Sequence, residues 1–351
     1  MARVDGVRWL PLAAILVLIS FPARAHGQGG GKGNPPGSLP AYAAGIFSAE
    51  PSSTEAGLPL ILPMGARAIA MGRAVTASRG NESAFWNPAG LARIEETRFI
   101  VLRGDHLAGE ATAFSLILAR QPLGTLTFSY QLLDVGDQAF VDRDGNVLGT
   151  VSWRDHLGIA SFATQILPWL DTGLNFKVYQ TRLSCRGQCD GAGVTGTTYL
   201  LDAGLLASPI PESPLRLGLL VAHLGPDLQF INVEQADPMP TRLRAAASYE
   251  FLHHFLARED MEIWATAELE DRAKDLGSPV LYLGAEFSAG LEDQIFLRAG
   301  YGQVQTGQPA GMAVGLGLKY QQFEVGIGKS LSGGSLIGES DPAHITFGVR
   351  F

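Results

Sequence analysis

Cys185 and Cys189 form the most reactive pair of side chains in the sequence, and three residues separate them. In an exported protein, two thiols this close favour a disulfide bond. Such a small ring adds little stability, because the entropic effect of a disulfide grows with loop length. A metal site is the alternative, but no histidine lies nearby in sequence to complete a ligand set. We predict a disulfide within a surface loop.

Three other patterns resemble chemical motifs without meeting their requirements. Asp142–Asn146 resembles the start of a calcium loop, but its twelfth position is Trp153 instead of glutamate, so we predict a surface turn. Gly315–Gly317 lies inside an alternating apolar segment, which excludes a nucleotide-binding turn. His253-His254 is predicted to be a solvated pair in a turn. Since no serine or cysteine nucleophile stands in a recognisable motif, we predict no enzyme activity, no metal and no cofactor.

Charged residues of both signs recur at every second position of the apolar segments. Mixed signs do not indicate a strongly ion-selective pore. Charges that face a narrow interior must be paired or hydrated, so we predict a network of pairs that braces the surrounding strands. The predicted inward charges are Lys177, Asp202, Arg216, Arg242, Arg244, Glu262, Glu268, Glu286, Arg298, Lys319, Glu324 and Arg350.

The elements that must position these charges are β-strands. In Thr125–Leu132 and Gly311–Tyr320 every second residue is large and apolar, which is the period of a strand. From Thr97 onward the same pattern gives about 14 segments of about 7–12 residues, enough for tilted strands to cross a membrane. A secreted all-β protein is the alternative. We predict an antiparallel transmembrane β-barrel of about 14 strands, whose closure leaves no open sheet edge in lipid.

Composition excludes other classes of protein. The chain has 351 residues, 46% of them hydrophobic and 17% charged, with 43 glycines and a net charge of −8. This apolar content excludes general disorder. The acidic balance argues against a nucleic-acid-binding protein, which normally carries a basic surface.

The first residues have the layout of an export signal. Arg3 and Arg8 precede the apolar stretch Trp9–Phe21, and Ala23–Ala25 offers a small-residue cleavage site. The stretch is short for a transmembrane helix, and an uncleaved anchor is the alternative. We predict four segments: a signal peptide over 1–25, a flexible Gly/Pro-rich arm over 26–57, a plug over 58–96 and the barrel over 97–351. The arm is a linker or a tether.

Joins between the predicted strands alternate in length. Gln121-Pro122 and Gln321-Gln322 are short, whereas Asp134–Thr150 and Leu269–Ser278 are longer. Outer-membrane barrels have short periplasmic turns and longer surface loops. The final strand closes on Phe351, the usual insertion signal for the barrel assembly machinery. We therefore predict the outer membrane of a Gram-negative bacterium, with both termini in the periplasm.

The segment before the barrel has a different pattern. Gly65–Gly72 is small and partly apolar, and Ala84–Leu91 contains an Asn-Pro pair that forces a turn. A segment this apolar is costly to leave in water. We predict that it folds inside the lumen as a plug; the alternative is a cap at the periplasmic mouth.

At these residues the sequence resembles the PorV/PorQ family, part of the wider group of FadL-like barrels. The likeness continues in Leu201–Leu205, Pro240–Leu243 and Leu297–Tyr301. Arg73 and Asn81–Ser83 depart from the usual pattern. The resemblance implies a barrel of about 14 strands. The matching plug motif consists of Gly65, Arg67, Met71, Gly72, Trp86, Asn87, Pro88 and Gly90.

The resemblance also implies a choice of functions. PorV-type proteins receive secreted cargo in type IX secretion and present it at the cell surface, whereas FadL relatives pass hydrophobic molecules through a plugged barrel. We expect the secretion role first, passive transport of a small hydrophobic molecule such as a long-chain fatty acid second, and a purely structural barrel third. The expected partners are outer-membrane lipid, the barrel assembly machinery, and either secreted cargo proteins or a hydrophobic small molecule.

Overall fold

Fourteen β-strands form a closed antiparallel barrel in the described part of the computed structural model. The structure describes residues 55–106, 109–188, 193–210, 213–230, 236–252, 260–303, 311–331 and 343–351. Each strand pairs with its neighbours in sequence, and β1 pairs with β14 to close the ring. The predicted fold class is confirmed.

The strands vary more in length than the sequence predicted. The strands are β1 Arg98–His106, β2 Gly109–Arg120, β3 Gly124–Val141, β4 Val147–Leu167, β5 Leu170–Gly187, β6 Val194–Ala207, β7 Leu215–Leu224, β8 Arg242–Glu250, β9 Met261–Arg272, β10 Asp275–Ala289, β11 Gln294–Gly302, β12 Gly311–Tyr320, β13 Phe323–Ser330 and β14 Ala343–Arg350. We term the end where β1 begins and β14 finishes the base, and the opposite end the rim.

Alternation along each strand separates the two faces of the barrel wall. In β6, Leu201 and Leu205 are exposed on the outside, whereas Asp202 and Leu206 are buried inside. Exposed large apolar side chains recur on most strands, which is the pattern expected of a wall that faces lipid. Within the described residues, no helix has the length and apolar character to cross a membrane.

Two predicted loops are largely strand. β3 extends to Val141 and β4 starts at Val147, so only a turn over 142–146 remains of the predicted loop Asp134–Thr150. The ladder continues there through pairs such as Gln138 with Val151. Likewise, only residues 273–274 lie between β9 and β10. The prediction of long loops at these positions is wrong, because main-chain pairing continues beyond the apolar part of the strands.

The segment before β1 lies within the ring of strands. It contains two short α-helices, α1 Leu58–Ile61 and α2 Ala66–Ala70, and two 3-10 helices, Asn81–Phe85 and Pro88–Leu91. At the rim, Ala56 N donates to the carbonyl oxygen of Pro238 at 3.0 Å. The segment is therefore a plug in the lumen and not a cap at its mouth.

The plug packs against inward-facing apolar side chains along its length. Leu60 lies near the rim in a cluster with Leu157 and Met239, and Leu91 lies near the base in a cluster with Ile117. Burial of these residues removes apolar surface from water and thereby holds the plug in place. The described chain thus begins at the rim and ends at the base with Phe351. The side on which the amino terminus lies stays a prediction, because residues 1–54 lie outside the described part of the chain.

Candidate functional site

The Asn-Pro turn fastens the plug to the barrel wall. The Asn87 side-chain oxygen accepts from Ala89 N at 3.1 Å and so caps the 3-10 helix that follows. Its amide nitrogen donates to the carbonyl oxygens of Thr76 at 2.8 Å and of Leu205 in β6 at 3.1 Å. The cap suits an asparagine followed by a proline at the first helical position. This part of the plug motif therefore has a positional role.

Glycines of the plug motif allow close approach. Gly72 has a φ of 58°, and a side chain there would collide with the backbone of Gly300 and Tyr301 in β11. Gly65 has a φ of 104°, and a side chain there would collide with the Glu82 carboxylate. Both positions need the backbone freedom and the small volume of glycine.

Trp86 separates two spaces within the lumen. Above it, towards the rim, lies a narrow space of about 20 Å³, which we term the upper pocket; Leu60, Met64 and Lys177 are among its lining residues. Below it lies a larger space of about 260 Å³, the mouth chamber, lined in part by Arg216 and by Trp86 itself. The Trp86 indole N–H donates to the carbonyl oxygen of Met64 at 2.9 Å, which fixes the ring across the lumen.

Two guanidinium groups hold the Trp86 ring from the wall and the plug. The guanidinium carbon of Arg244 lies 4.9 Å from the ring centre and that of Arg73 lies 6.0 Å away. Cations at such distances are attracted to an indole face. The Met71 side chain, almost fully buried, lies in the same apolar cluster as Trp86. The closed position of the ring is therefore supported by charge and by packing.

A buried charge cluster lies beside the upper pocket. The Lys177 ammonium lies 2.6 Å from the Asp202 carboxylate, and their side chains are 2% and 0% exposed. His223 donates its backbone N–H to Asp202 at 2.8 Å, while its ring Nδ1 lies 3.2 Å from Lys177 Nζ. Asn175 donates to Asp202 at 2.7 Å. These bonds satisfy the carboxylate, as a charge removed from water requires.

A second cluster ties β8 and β9 to the plug. Arg244 forms an ion pair with Glu270, and Arg242 donates to Glu55 at 2.9 Å and 2.5 Å. Glu268 accepts from the backbone N–H and the hydroxyl of Thr76 at 2.8 Å and 2.7 Å. The predicted inward charges thus bind each other and the plug, although Glu55 and Glu270 were not among the predicted residues.

At the base, one carboxylate serves two arginines. Glu286 accepts from Arg67 of the plug at 2.7 Å and from Arg298 of β11 at 2.5 Å. Asp171 likewise accepts from Arg79 and Arg93 of the plug, each at 2.9 Å. Asp171, Arg79 and Arg93 were missed by the sequence analysis, which looked for charges only within the alternating strands from Lys177 onward.

Burial shifts the pKa of the plug's own charged groups. Burial raises the pKa of the Glu82 carboxyl, against the opposing effects of the Thr346 hydroxyl, the Arg298 charge and two backbone N–H groups. Burial lowers the pKa of Arg79, although Asp171 acts in the opposite direction. For Arg67 burial also acts downward, but the nearby carboxylates, Glu286 above all, leave its pKa raised. The plug therefore depends on its wall partners for its charge state.

The remaining predicted residues lie around the base. Glu324 accepts from the Asn81 amide at 2.6 Å, and Lys319 lines the mouth chamber. The backbone N–H of Phe351 donates to the Thr97 carbonyl oxygen at 2.9 Å, while its side chain is exposed. That position is open to a receptor, but its role as an insertion signal stays a prediction.

The other motifs have structural surroundings. Cys185 is disulfide-bonded at the rim end of β5, and Cys189 lies outside the described residues. Asp142 accepts from the backbone N–H groups of Asp144 and Asn146 at 2.9 Å and 2.8 Å, which makes a tight turn. His253-His254 lies outside the described residues. Within the described ranges, no three His, Cys, Asp or Glu side chains form a group suited to a metal ion.

An apolar hollow lies on the outer surface of the wall. This space, about 570 Å³ and termed the wall hollow, is lined by outward-facing apolar side chains of β3 to β7, including Phe162, Phe176 and Leu201, together with inward-facing Asn175 and Asp202. Beside it the β6–β7 ladder shifts register between Leu201 and Ala203. At that shift His223 has a φ of 62°, a conformation that a histidine seldom adopts.

The chain matches no protein-family model and no curated protein sequence. Its fold is similar to that of the CymD monoaromatic hydrocarbon channel, with a TM-score of 0.54, 12% identity, and coverage of 82% of this chain and 97% of that one. The toluene transporter TodX of P. putida gives a TM-score of 0.51 and 13% identity, over 82% and 98% of the two chains. At this identity the likeness establishes the fold. The finer resemblance to PorV/PorQ proteins stays a prediction.

Proposed function

We propose that this protein is an outer-membrane channel for hydrophobic small molecules. The observation that carries the proposal is the wall hollow, an apolar space on the lipid side of β3 to β7. The fold is shared with two proteins named for monoaromatic hydrocarbons, and this likeness supports the proposal at the level of architecture. Function depends on the site and not on the fold, so the geometry of this chain must itself offer a route for such a molecule.

One layer of strands separates the wall hollow from the upper pocket. Asn175 and Asp202 belong to the strands beneath the hollow and point their side chains into the lumen, where Asp202 binds Lys177 beside the upper pocket. The irregular pairing at His223 lies in the same part of the wall. A bulge disrupts the ladder locally, and such irregularities are frequent beside functional sites. A hydrophobic molecule dissolved in the membrane would thus reach the lumen through this part of the wall.

Passage onward requires the plug to move. The upper pocket holds only about 20 Å³, and Trp86 closes it towards the base. We place the base in the periplasm, where the carboxyl-terminal strand of an outer-membrane barrel ends. Displacement of Trp86 would join the upper pocket to the mouth chamber and complete a route from the membrane to the periplasm. The secretion role expected first from the sequence is favoured neither by the comparisons nor by the described residues.

Uptake by intact cells tests the proposal. The chain is expressed in a Gram-negative host that lacks its own hydrophobic channel, and uptake of radiolabelled toluene and oleate is measured. Ala203→Trp fills the wall hollow from the lipid side and is expected to reduce uptake to that of cells with an empty vector. The matched control is Ala299→Trp, which places the same side chain on the lipid face of β11 and is expected to leave uptake unchanged.

Two results would contradict the proposal. One is uptake of both compounds that does not depend on the protein; the other is an equal effect of Ala203→Trp and Ala299→Trp. Native mass spectrometry of the protein extracted from its own membrane then distinguishes the secretion role, because a bound adduct of protein size would support cargo binding instead.

A further inference from the structure

The mouth chamber contains more cationic than anionic side chains. It lies between the plug and the base ends of the strands, and its volume is about 260 Å³. Six of its described lining residues are arginine or lysine and four are glutamate. A cavity with an excess of one charge attracts counter-ions of the other sign. The pairing of these charges decides which cations are available to a ligand.

Most of the arginines already have partners. Arg67 and Arg298 share Glu286, and Arg79 is bound to Asp171. Arg98 donates to the Asn81 side-chain oxygen at 2.8 Å. These groups hold the plug against the wall and are not available to a ligand.

Arg216 has a different environment. Its guanidinium carbon lies 3.6 Å from the centre of the Trp264 ring, so the planar group stacks on the indole. Within the described residues, neither Arg216 nor Lys319 has a carboxylate within 4.0 Å. Stacking uses the face of a guanidinium and leaves the N–H donors at its edge, which match the two oxygens of a carboxylate. Arg216 is therefore held in place as a receptor for an oxyanion.

Two carboxylates that line the chamber accept hydrogen bonds from groups other than Arg216. Glu262 accepts from the Trp264 indole N–H at 2.8 Å, and Glu82 accepts from the Thr346 hydroxyl at 2.7 Å. Glu262 thus helps to orient the ring on which Arg216 stacks. This arrangement positions the cation without neutralising it.

The same chamber has aromatic walls. Trp86, Trp264 and Phe296 line it together with Arg216 and Lys319. Flat apolar surfaces beside a fixed cation suit a ligand that has a ring and an oxyanion. We infer that the mouth chamber binds a small aromatic oxyanion, with its charged group on Arg216 and Lys319 and its ring against the aromatic side chains. This inference goes beyond the proposed function, because the chamber would bind such an anion whether or not a neutral hydrocarbon crosses the barrel.

Fluorine NMR of the full chain in detergent micelles tests the inference. The probe is 4-fluorobenzoate, and 4-fluorotoluene serves as its uncharged counterpart. Saturable broadening of the benzoate signal is expected, with much weaker broadening of the toluene signal beyond that of empty micelles. Arg216→Met keeps an apolar side chain over Trp264 and removes the charge, so affinity for 4-fluorobenzoate is expected to fall about tenfold to a hundredfold.

The control variant is Arg103→Met, which makes the same change in net charge on an exposed arginine of β1 that pairs with Glu110. It is expected to bind the probe as the parent does. Lys319→Gln gives a second, smaller loss and keeps the test decisive should Arg216→Met fail to fold. Folding of each variant is checked by its heat-dependent migration in detergent gels.

Three results would overturn the inference. The first is unchanged 4-fluorobenzoate binding in both Arg216→Met and Lys319→Gln. The second is equal binding of 4-fluorotoluene and 4-fluorobenzoate, which would show a purely apolar space. The third is inorganic phosphate that binds as tightly as 4-fluorobenzoate, which would show that the aromatic walls contribute nothing. Displacement of the probe by a large excess of phosphate supports the oxyanion part.

Discussion

The two halves of the lumen hold the same plug by different means. Near the rim, Glu55 of the plug pairs with Arg242 of β8, their side chains are 14% and 2% exposed, and the upper pocket holds only about 20 Å³. Near the base, the plug side chains Arg67 and Arg79 are 23% and 26% exposed, and the adjacent chamber holds about 260 Å³. Water screens the partly exposed ion pairs at the base and can solvate a charge that loses its partner there. Near the rim the pair is more deeply buried, so a charge that loses its partner stays unsolvated. The comparison indicates that the plug loosens more readily from the base.

The strongest test of this comparison removes a buried charge beside the upper pocket. Asp202→Ala leaves Lys177 without its carboxylate in a buried site, and the free energy of unfolding is expected to fall by about 3–5 kcal/mol. Urea unfolding followed by tryptophan fluorescence measures the change. The matched control is Asp134→Asn, which breaks the exposed pair with Arg154 and is expected to cost about 0–1 kcal/mol. Equal effects of the two variants would refute the contrast between buried and exposed charges.

A second test pushes the plug away from the wall near the base. A side chain at Gly173 of β5 would collide with the backbone of Pro88 and Ala89, so Gly173→Val is expected to cost about 1–3 kcal/mol by overpacking. Conductance across a planar bilayer is expected to rise as the plug shifts. Gly158→Val on β4, where an added Cβ has no neighbour within 4 Å, is expected to change neither quantity. If Gly173→Val has the conductance and the free energy of unfolding of the parent, the contact between Gly173 and the plug is contradicted.

The smallest expected effect concerns a carboxyl group at the base. Since the folded pKa of Glu82 is raised, its contribution to stability is complete below its ordinary value of 4.5 and is lost as the pH rises through the folded pKa. The free energy of unfolding of Glu82→Gln is therefore expected to equal or exceed that of the parent at neutral pH, by no more than about 1 kcal/mol. This advantage is expected to disappear in acid. Unfolding free energies of both proteins are measured between pH 4 and pH 8. A difference between variant and parent that favours the variant more in acid than at neutral pH would contradict the raised pKa of Glu82.

Alternation made the barrel predictable because lipid and lumen impose opposite requirements on neighbouring residues. Leu201 and Asp202 show the contrast directly, since one faces outward and the other is buried inside. The contrast disappears where strands extend beyond the membrane. Gln138 and Val151 pair in a region whose glycines and aspartates resemble a loop, and there the prediction failed.

The candidate site was predictable in its residue types but not in its pairs. Lys177 pairs with Asp202 although its direct cross-strand neighbour in β6 is Leu200, so the contact depends on side-chain direction as well as register. The shared carboxylates Asp171 and Glu286 join β5 and β10 to a plug that is distant in sequence. The cation stacked on Trp264 could be proposed as inward-facing from the alternation, but its lack of a carboxylate partner required the structure.

The path of the plug determines how it is attached to the barrel. Its described part starts at the rim with Glu55 bound to Arg242 and finishes at the base, where β1 begins. In the folded protein, the pairing of β1 with β14 completes a ring that surrounds this segment. Because one end of the segment continues directly into the first strand, the plug is tethered at the seam where β1 and β14 close the ring.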